Sequence, residues 1–372
     1  MKKLNILFIA IVLTGSISAQ QKKIYLAPDD HTDYMWTSTE EGYRKAFLET
    51  LDYYIKLNDS TASEPYEYQS KWNCDGSIWV YEYEKNRSKE QFDQIIRQIK
   101  AEKITVPLNT VASLMGIAPL EATLRDMYYA GSLERKYGLN LDLALNMEDQ
   151  VLPLGLSSLW AGAGAKYSWR GVCACATKVT GLENRETEIY WYKGLDDQKV
   201  LMKWYSINSS YTAMAKERAF RYFFGTYLET SDPANAIIDI KEFMKDTKRY
   251  PYPIAGAFGK GGDDLKTLTN IFPKIAKEKS DSDYQVIVSN EIDFFRDFEK
   301  NYGTKLPSET ISYGSTEWGN SVASLAEVSA TVKRSIEKLR TAEALYSLVA
   351  LKDKIFATDF AEMKQKSWMA CG

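Results

Sequence analysis

The chain is poor in the side chains that most metal sites and nucleophile sites use. It has one histidine, His31, and four cysteines in 372 residues. Ser-His-Asp or Cys-His catalysis would need His31 as its base. Neither a Gly-x-Ser-x-Gly elbow nor a reactive-cysteine signature accompanies it. Cys173 and Cys175 have only Ala174 between them, the wrong spacing for zinc ribbons and redox pairs, and Cys74 and Cys371 lie far away. The four read as buried thiols or one disulfide. Charge of one sign is also lacking. The net charge is -3 and no long basic run occurs, which leaves no global electrostatic case for nucleic acid. Beyond the N-terminus no apolar run is long enough to cross a bilayer.

What is present begins with export. Lys2 and Lys3 precede the apolar stretch 4–13, followed by Gly15, Ser16, Ser18 and Ala19. This pattern predicts a signal peptide over 1–19, cut after Ala19, and an exported protein in the periplasm or outside the cell. Aromatics are abundant, with 9 Trp, 25 Tyr and 14 Phe. Most such rings belong to cores, although sugar CH faces also pack on them.

Short apolar strands alternate with amphipathic helices. Strands are expected at 24–27, 104–108, 139–145, 165–169, 200–205, 254–258 and 285–288. Helices are expected at 41–57, 89–102, 120–137, 233–246, 264–277 and 293–302. Ser88 and Gln91 form a capping box ahead of Phe92, Ile95, Ile96 and Ile99 on one helical face. The alternation predicts an α/β fold with a parallel sheet, as a barrel or doubly wound, over 20–320. From about Ala323 the spacing of Leu325, Val328, Val332, Ile336 and Leu339 predicts a long amphipathic helix that opens a helical module over 321–372.

Acidic clusters follow the predicted strands. They are Asp29-Asp30-His31-Thr32-Asp33, Asn146-Met147-Glu148-Asp149, the run from Gly259 to Asp264, and Asn290-Glu291-Ile292-Asp293. The carboxyl ends of parallel strands open on one face, where active sites form. Asp264 and Asp293 are equally suited to capping the next helix. Neutral imidazole with carboxylates suits zinc. His31 and Asp33, two apart in an extended segment, point the same way and could grip one ion. Glu148, Asp149, Asp264 and Glu291 are the candidate catalytic carboxyls. The glycine run is no phosphate loop, since no Gly-Lys-Ser/Thr follows; it reads as a tight turn that brings backbone close to a ligand.

The run His31-Thr32-Asp33-Tyr34-Met35-Trp36 resembles the His-x-Asp-x-x-Trp motif that opens the catalytic domain of glycoside hydrolase family 38, the α-mannosidases. Glu121 to Arg125 with Glu134 to Gly138, Asn146 to Glu148 with Ala161 to Tyr167, and Ser324 to Leu345 resemble later segments of that family in the same order. The resemblance implies a seven-stranded α/β barrel followed by a helical bundle and β-sandwich domains. It also implies one zinc ion and retaining hydrolysis of terminal sugars on glycans. His31 and Asp33 would then be zinc ligands, and Trp36 would line the sugar subsite. Asp30 and Trp72 are further candidate substrate contacts. Two features depart from the family pattern. No Asp or Glu occurs between Glu102 and Glu121, where the family has its nucleophile. No second histidine follows the long helix to complete the zinc site.

The long helix cannot bury its apolar face alone, so the chain is expected to be truncated, with C-terminal domains needed for full function. The leading expectation is a zinc-dependent, α-mannosidase-like glycosidase acting on carbohydrate. The alternative is a non-catalytic or degenerate carbohydrate-binding domain. A metal-dependent polysaccharide deacetylase is a weaker third reading. Asp29-Asp30 matches its paired acids, but its His-x3-His pair is absent.

Overall fold

A computed structural model describes residues 21–111, 115, 118–145, 151–171, 188–204, 229–260, 265–313 and 323–370. The predicted signal peptide lies outside the described residues, as do Cys173, Cys175 and Cys371. The first half runs β1 (Lys22–Ala27), α1 (Glu40–Ser60), β2 (Trp72–Asn73), α2 (Ile78–Asn86), α3 (Lys89–Lys100), β3 (Ile104–Thr105), α4 (Leu120–Asp126), α5 (Tyr128–Tyr137) and β4 (Leu143–Leu145). The second half runs α6 (Leu156–Ala163), β5 (Tyr167–Trp169), β6 (Ile189–Lys193), β7 (Lys199–Lys203), α7 (Pro233–Phe243), β8 (Ile254–Phe258), α8 (Ile271–Lys279), β9 (Tyr284–Val288), α9 (Ile292–Tyr302), β10 (Ser308–Glu309), α10 (Ala326–Ala350) and α11 (Lys354–Met369).

The strands fall into three small sheets. In the first, β1 lies between β8 and β9, parallel to both, with Lys23 opposite Ile254 and Lys22 opposite Tyr284. Ile24, Leu26 and Ala27 are fully buried. A continuous apolar run is what a parallel strand covered on both faces requires. The second sheet pairs β2 with β3. The third has the order β10-β6-β7-β5-β4 and is parallel except for the β6–β7 hairpin. Isolated hydrogen bonds join neighbouring sheet edges. Asn73 donates its backbone N–H to the Pro28 carbonyl (3.2 Å), and Leu108 donates to Leu143 (2.8 Å).

Several predicted elements shift for identifiable reasons. The capping box on α3 is present, with both reciprocal hydrogen bonds. The helix expected at 120–137 divides at Met127. The Asp126 carbonyl is taken by the Thr110 hydroxyl (2.6 Å), which accompanies the break between α4 and α5. The helix expected at 264–277 begins only at Ile271. Pro273 then falls in its first turn, where a missing N–H costs little. Helix α1 continues to Ser60, with Asn58 buried against the Lys103 carbonyl, past the end expected at 57.

The chain beyond Leu351 forms a second helix, α11. α10 and α11 make a hairpin in which Tyr346 meets Phe356 and Phe360 (centroids 5.8 and 6.0 Å apart). It seats on α4 through Ile336, Trp368 and Ala122, and through an ion pair from Arg125 to Glu343 (2.8 Å). Leu325, Val328, Leu345, Leu348 and Leu351 remain exposed along α10 and at its two ends. No helix among the described residues is long and apolar enough to cross a membrane.

Candidate active site

The site begins where β1 stops. The Pro28 carbonyl accepts from both the backbone and the side chain of Asn73 (3.2 and 2.9 Å), so the chain leaves the sheet directly over β2. The next three side chains, Asp29, Asp30 and His31, are almost wholly buried. Each carboxylate is held by a different segment. Asp29 Oδ1 accepts from the Lys260 N–H (3.0 Å), and Asp30 Oδ1 accepts from the Thr267 hydroxyl (2.7 Å). Thr32 is gripped twice. Its N–H donates to Asp75 Oδ2 (2.7 Å), and its hydroxyl accepts from the Trp79 indole (3.2 Å).

This pinning brings the two expected metal donors together. His31 Nε2 stands 3.3 Å from Asp33 Oδ1. Two donors on a tetrahedral zinc ion with bonds of about 2.0–2.1 Å are separated by about 3.3 Å. The pair therefore fits two corners of such a site. A catalytic zinc usually takes three protein ligands. Among the described residues no group of three His, Cys, Asp or Glu side chains is arranged to hold one ion.

A second carboxyl cluster lies against this loop. Glu291 follows β9, has a positive φ of 64° that is unusual for a side-chain-bearing residue, and is buried. Asp29 Oδ2, Asp75 Oδ1 and Glu291 Oε2 are buried oxygens that find no hydrogen-bond donor in good geometry among the described residues. Burial, then the facing charges of Glu291 and Asp75, holds Asp29 well above the usual carboxylate range. Burial and Asp75 likewise raise Glu291, against the opposing pull of Trp169 and Lys203. Burial pushes Asp75 up to about 8, although His31 and the Thr32 N–H pull it down. Cys74, next in the chain, is a buried free thiol raised by burial and by the same acids. Behind the cluster, Lys203 and Glu229 form an ion pair of 2.6 Å with both side chains about 1 % exposed. Glu229 also accepts from the Phe258 N–H (2.8 Å).

The sequence-predicted residues divide clearly. Asp30, His31 and Asp33 share one loop, and Glu291 joins them through its interactions with Asp29 and Asp75. Glu148, Asp149 and Asp264 lie outside the described residues. Trp36 is 71 % exposed at the end of the same loop. Trp72 has no exposed surface. Its ring lies flat on Tyr54 at 4.0 Å, which leaves no face for a sugar and makes it a core residue. Of the glycine run, Gly259 has a positive φ of 85° and the Lys260 N–H lands on Asp29, while Gly261 to Asp264 lie outside the described residues. Asp75, Lys203 and Glu229 were missed. Asp75 obeys the same acid-after-strand pattern, but its strand is two residues long and gives no periodic signal. Lys203 and Glu229 pair across segments far apart in the chain and have no local signature.

No protein-family model matches the chain, and no curated protein matches it. Solved structures do. An alpha-mannosidase from Enterococcus faecalis V583 superposes with a TM-score of 0.59 at 17% identity, over 80% of this chain and 31% of that one. A protein in the Glycosyl Hydrolase Family 38 from Enterococcus faecalis superposes at 0.50 and 18% identity, over 78% of this chain and 28% of that one. The fold is thus similar to that of glycoside hydrolase family 38 proteins, as the opening motif implied. The chain spans less than a third of the length of either.

Proposed function

We propose that this chain is the catalytic-type domain of an exported, zinc-dependent glycoside hydrolase of the α-mannosidase kind. The observation that carries the reading is the His31–Asp33 donor pair, at zinc spacing, at the carboxyl end of the first strand of a family 38-like fold. In this reading the three sheets are segments of one barrel whose strand ends gather the acids. Zinc, when bound at His31 and Asp33, would hold and polarise sugar hydroxyls. The protein's own part would be to orient that pair through Asp75 and Trp79, and to supply a protonated carboxyl. Glu291 suits the second task, because a raised carboxyl is what a general acid needs. Retaining hydrolysis requires a second carboxyl about 5–5.5 Å from the first. Glu148, Asp149 and Asp264 are its candidates. Trp36, exposed beside the pair, would stack on the sugar.

The test is hydrolysis of an aryl α-mannoside, before and after removal of zinc by a chelator. Turnover that stops with chelation and returns with zinc is expected. Turnover indifferent to the chelator would sink the zinc assignment. The second reading is a glycan-binding domain without turnover. It is favoured by the segment 103–120, which offers Asn109 and Thr110 but no carboxylate. Sugar binding without hydrolysis would select it.

A further inference from the structure

A cavity of about 530 Å³ opens beside the His31–Asp33 loop, between that loop, α1, α2 and the C-terminal helix α11. Tyr34 and Met35, the residues directly after Asp33, form one wall, and Tyr81 of α2 lies on another. Its volume is that of a small-ligand site, which typically runs about 300–1,000 Å³. One turn marks it. Met35 is held at a positive φ of 66°, a conformation that side-chain-bearing residues rarely adopt. That turn leaves Met35 57 % exposed, a large apolar side chain on the cavity wall that the fold does not cover. The charges lining the cavity balance, with Glu40, Glu82 and Glu362 against Arg44, Lys85 and Lys366. Five of the six are already paired: Arg44 with Glu82 (2.7 Å) and Glu40 (3.4 Å), and Lys85 with Glu362 (3.7 Å).

A balanced, largely pre-paired lining does not select an anion or a cation. It offers dense hydrogen-bonding groups next to aromatic and thioether surface. That combination recognises a neutral, hydroxyl-rich ligand, whose CH faces pack on rings and whose hydroxyls bridge charged groups. We infer that this cavity is a second sugar subsite. It would take an inner residue of an oligosaccharide whose terminal residue sits at His31 and Asp33. The inference rests on the carbohydrate reading above and adds to it a preference for substrates longer than one sugar.

The test compares methyl α-mannopyranoside with an α-linked mannotriose by NMR titration, in zinc-containing buffer. The chain itself is expected to bind the trisaccharide at least tenfold more tightly. Tyr81→Ala and, separately, the exposed Lys366→Ala are expected to cut that advantage to threefold or less, with affinity for the single sugar retained. Tyr81→Phe, which keeps the ring, is expected to retain the advantage. Equal binding of the two sugars by the unmodified chain, or an advantage unaltered in both Tyr81→Ala and Lys366→Ala, overturns the subsite while leaving the terminal site standing. Failure of both sugars to bind overturns the subsite together with the reading it rests on.

Discussion

Asp75, which accepts the Thr32 N–H in the loop carrying His31 and Asp33, carries a pH signature. Its carboxyl is raised to about 8 in the folded protein, whereas an unfolded aspartate titrates near about 3.9. The folded state therefore binds more protons between these values. The stability from this group is fully present below the lower value and is lost as pH rises through about 8. In metal-free protein the unfolding temperature is expected to fall between pH 5 and pH 9. Asp75→Asn, which keeps the shape without the charge, should flatten that slope. Asp29 and Glu291 are shifted in the same direction, so the single variant should reduce the slope rather than abolish it. A slope identical in the variant, followed by circular dichroism melts, would show that Asp75 is not the group responsible.

Between elements, the Lys203–Glu229 pair ties the end of β7 to the edge of β8, where Glu229 also caps the Phe258 N–H. Removing one member strands a charge in the interior, which costs about 3–5 kcal/mol. In urea melts, Lys203→Met is expected to lower the unfolding free energy by about 3–5 kcal/mol, and adding Glu229→Gln should restore much of it. This pair also illustrates how far sequence reasoning reached. Periodicity located β1, β8 and β9 because each carries an unbroken apolar, buried run (Ile24 to Ala27, Ile254 to Phe258, Val286 to Val288), as burial on both faces demands. It located α3 because a capping box and a one-sided apolar face coincide there. It missed α2 and α6, whose buried and exposed residues do not separate into a clean stripe, and β6, which is aromatic rather than alternating. Near the strand ends, the positions of His31, Asp33 and Glu291 could be read because polar residues directly after apolar strands stand out, while their roles belong to the proposal above. Trp72 was misread because a ring in a sequence carries no mark of what covers it. Asp75 and Glu229 acquire their roles only when distant segments meet.

The whole molecule joins a parallel core to a helical hairpin through a small contact, the Ile336–Trp368–Ala122 cluster and the ion pairs Arg125–Glu343, Arg340–Glu121 and Lys85–Glu362. In the core, β1 occupies the centre of its sheet, and both of its neighbours come late in the chain. During synthesis or refolding, the apolar segment Ile24–Ala27 therefore waits for nearly the entire domain before it finds a hydrogen-bonding partner. Such long-range closure is slow, and the waiting strand is open to off-path association. Pulse-labelling hydrogen exchange should find the amides of β1 protected last and together with those of β8 and β9, after α3 has formed. Early protection of β1 would contradict this order. The strand that presents the histidine is thus the first part of the domain to be made and among the last to be secured, so the donor pair is assembled only on chains that have finished folding.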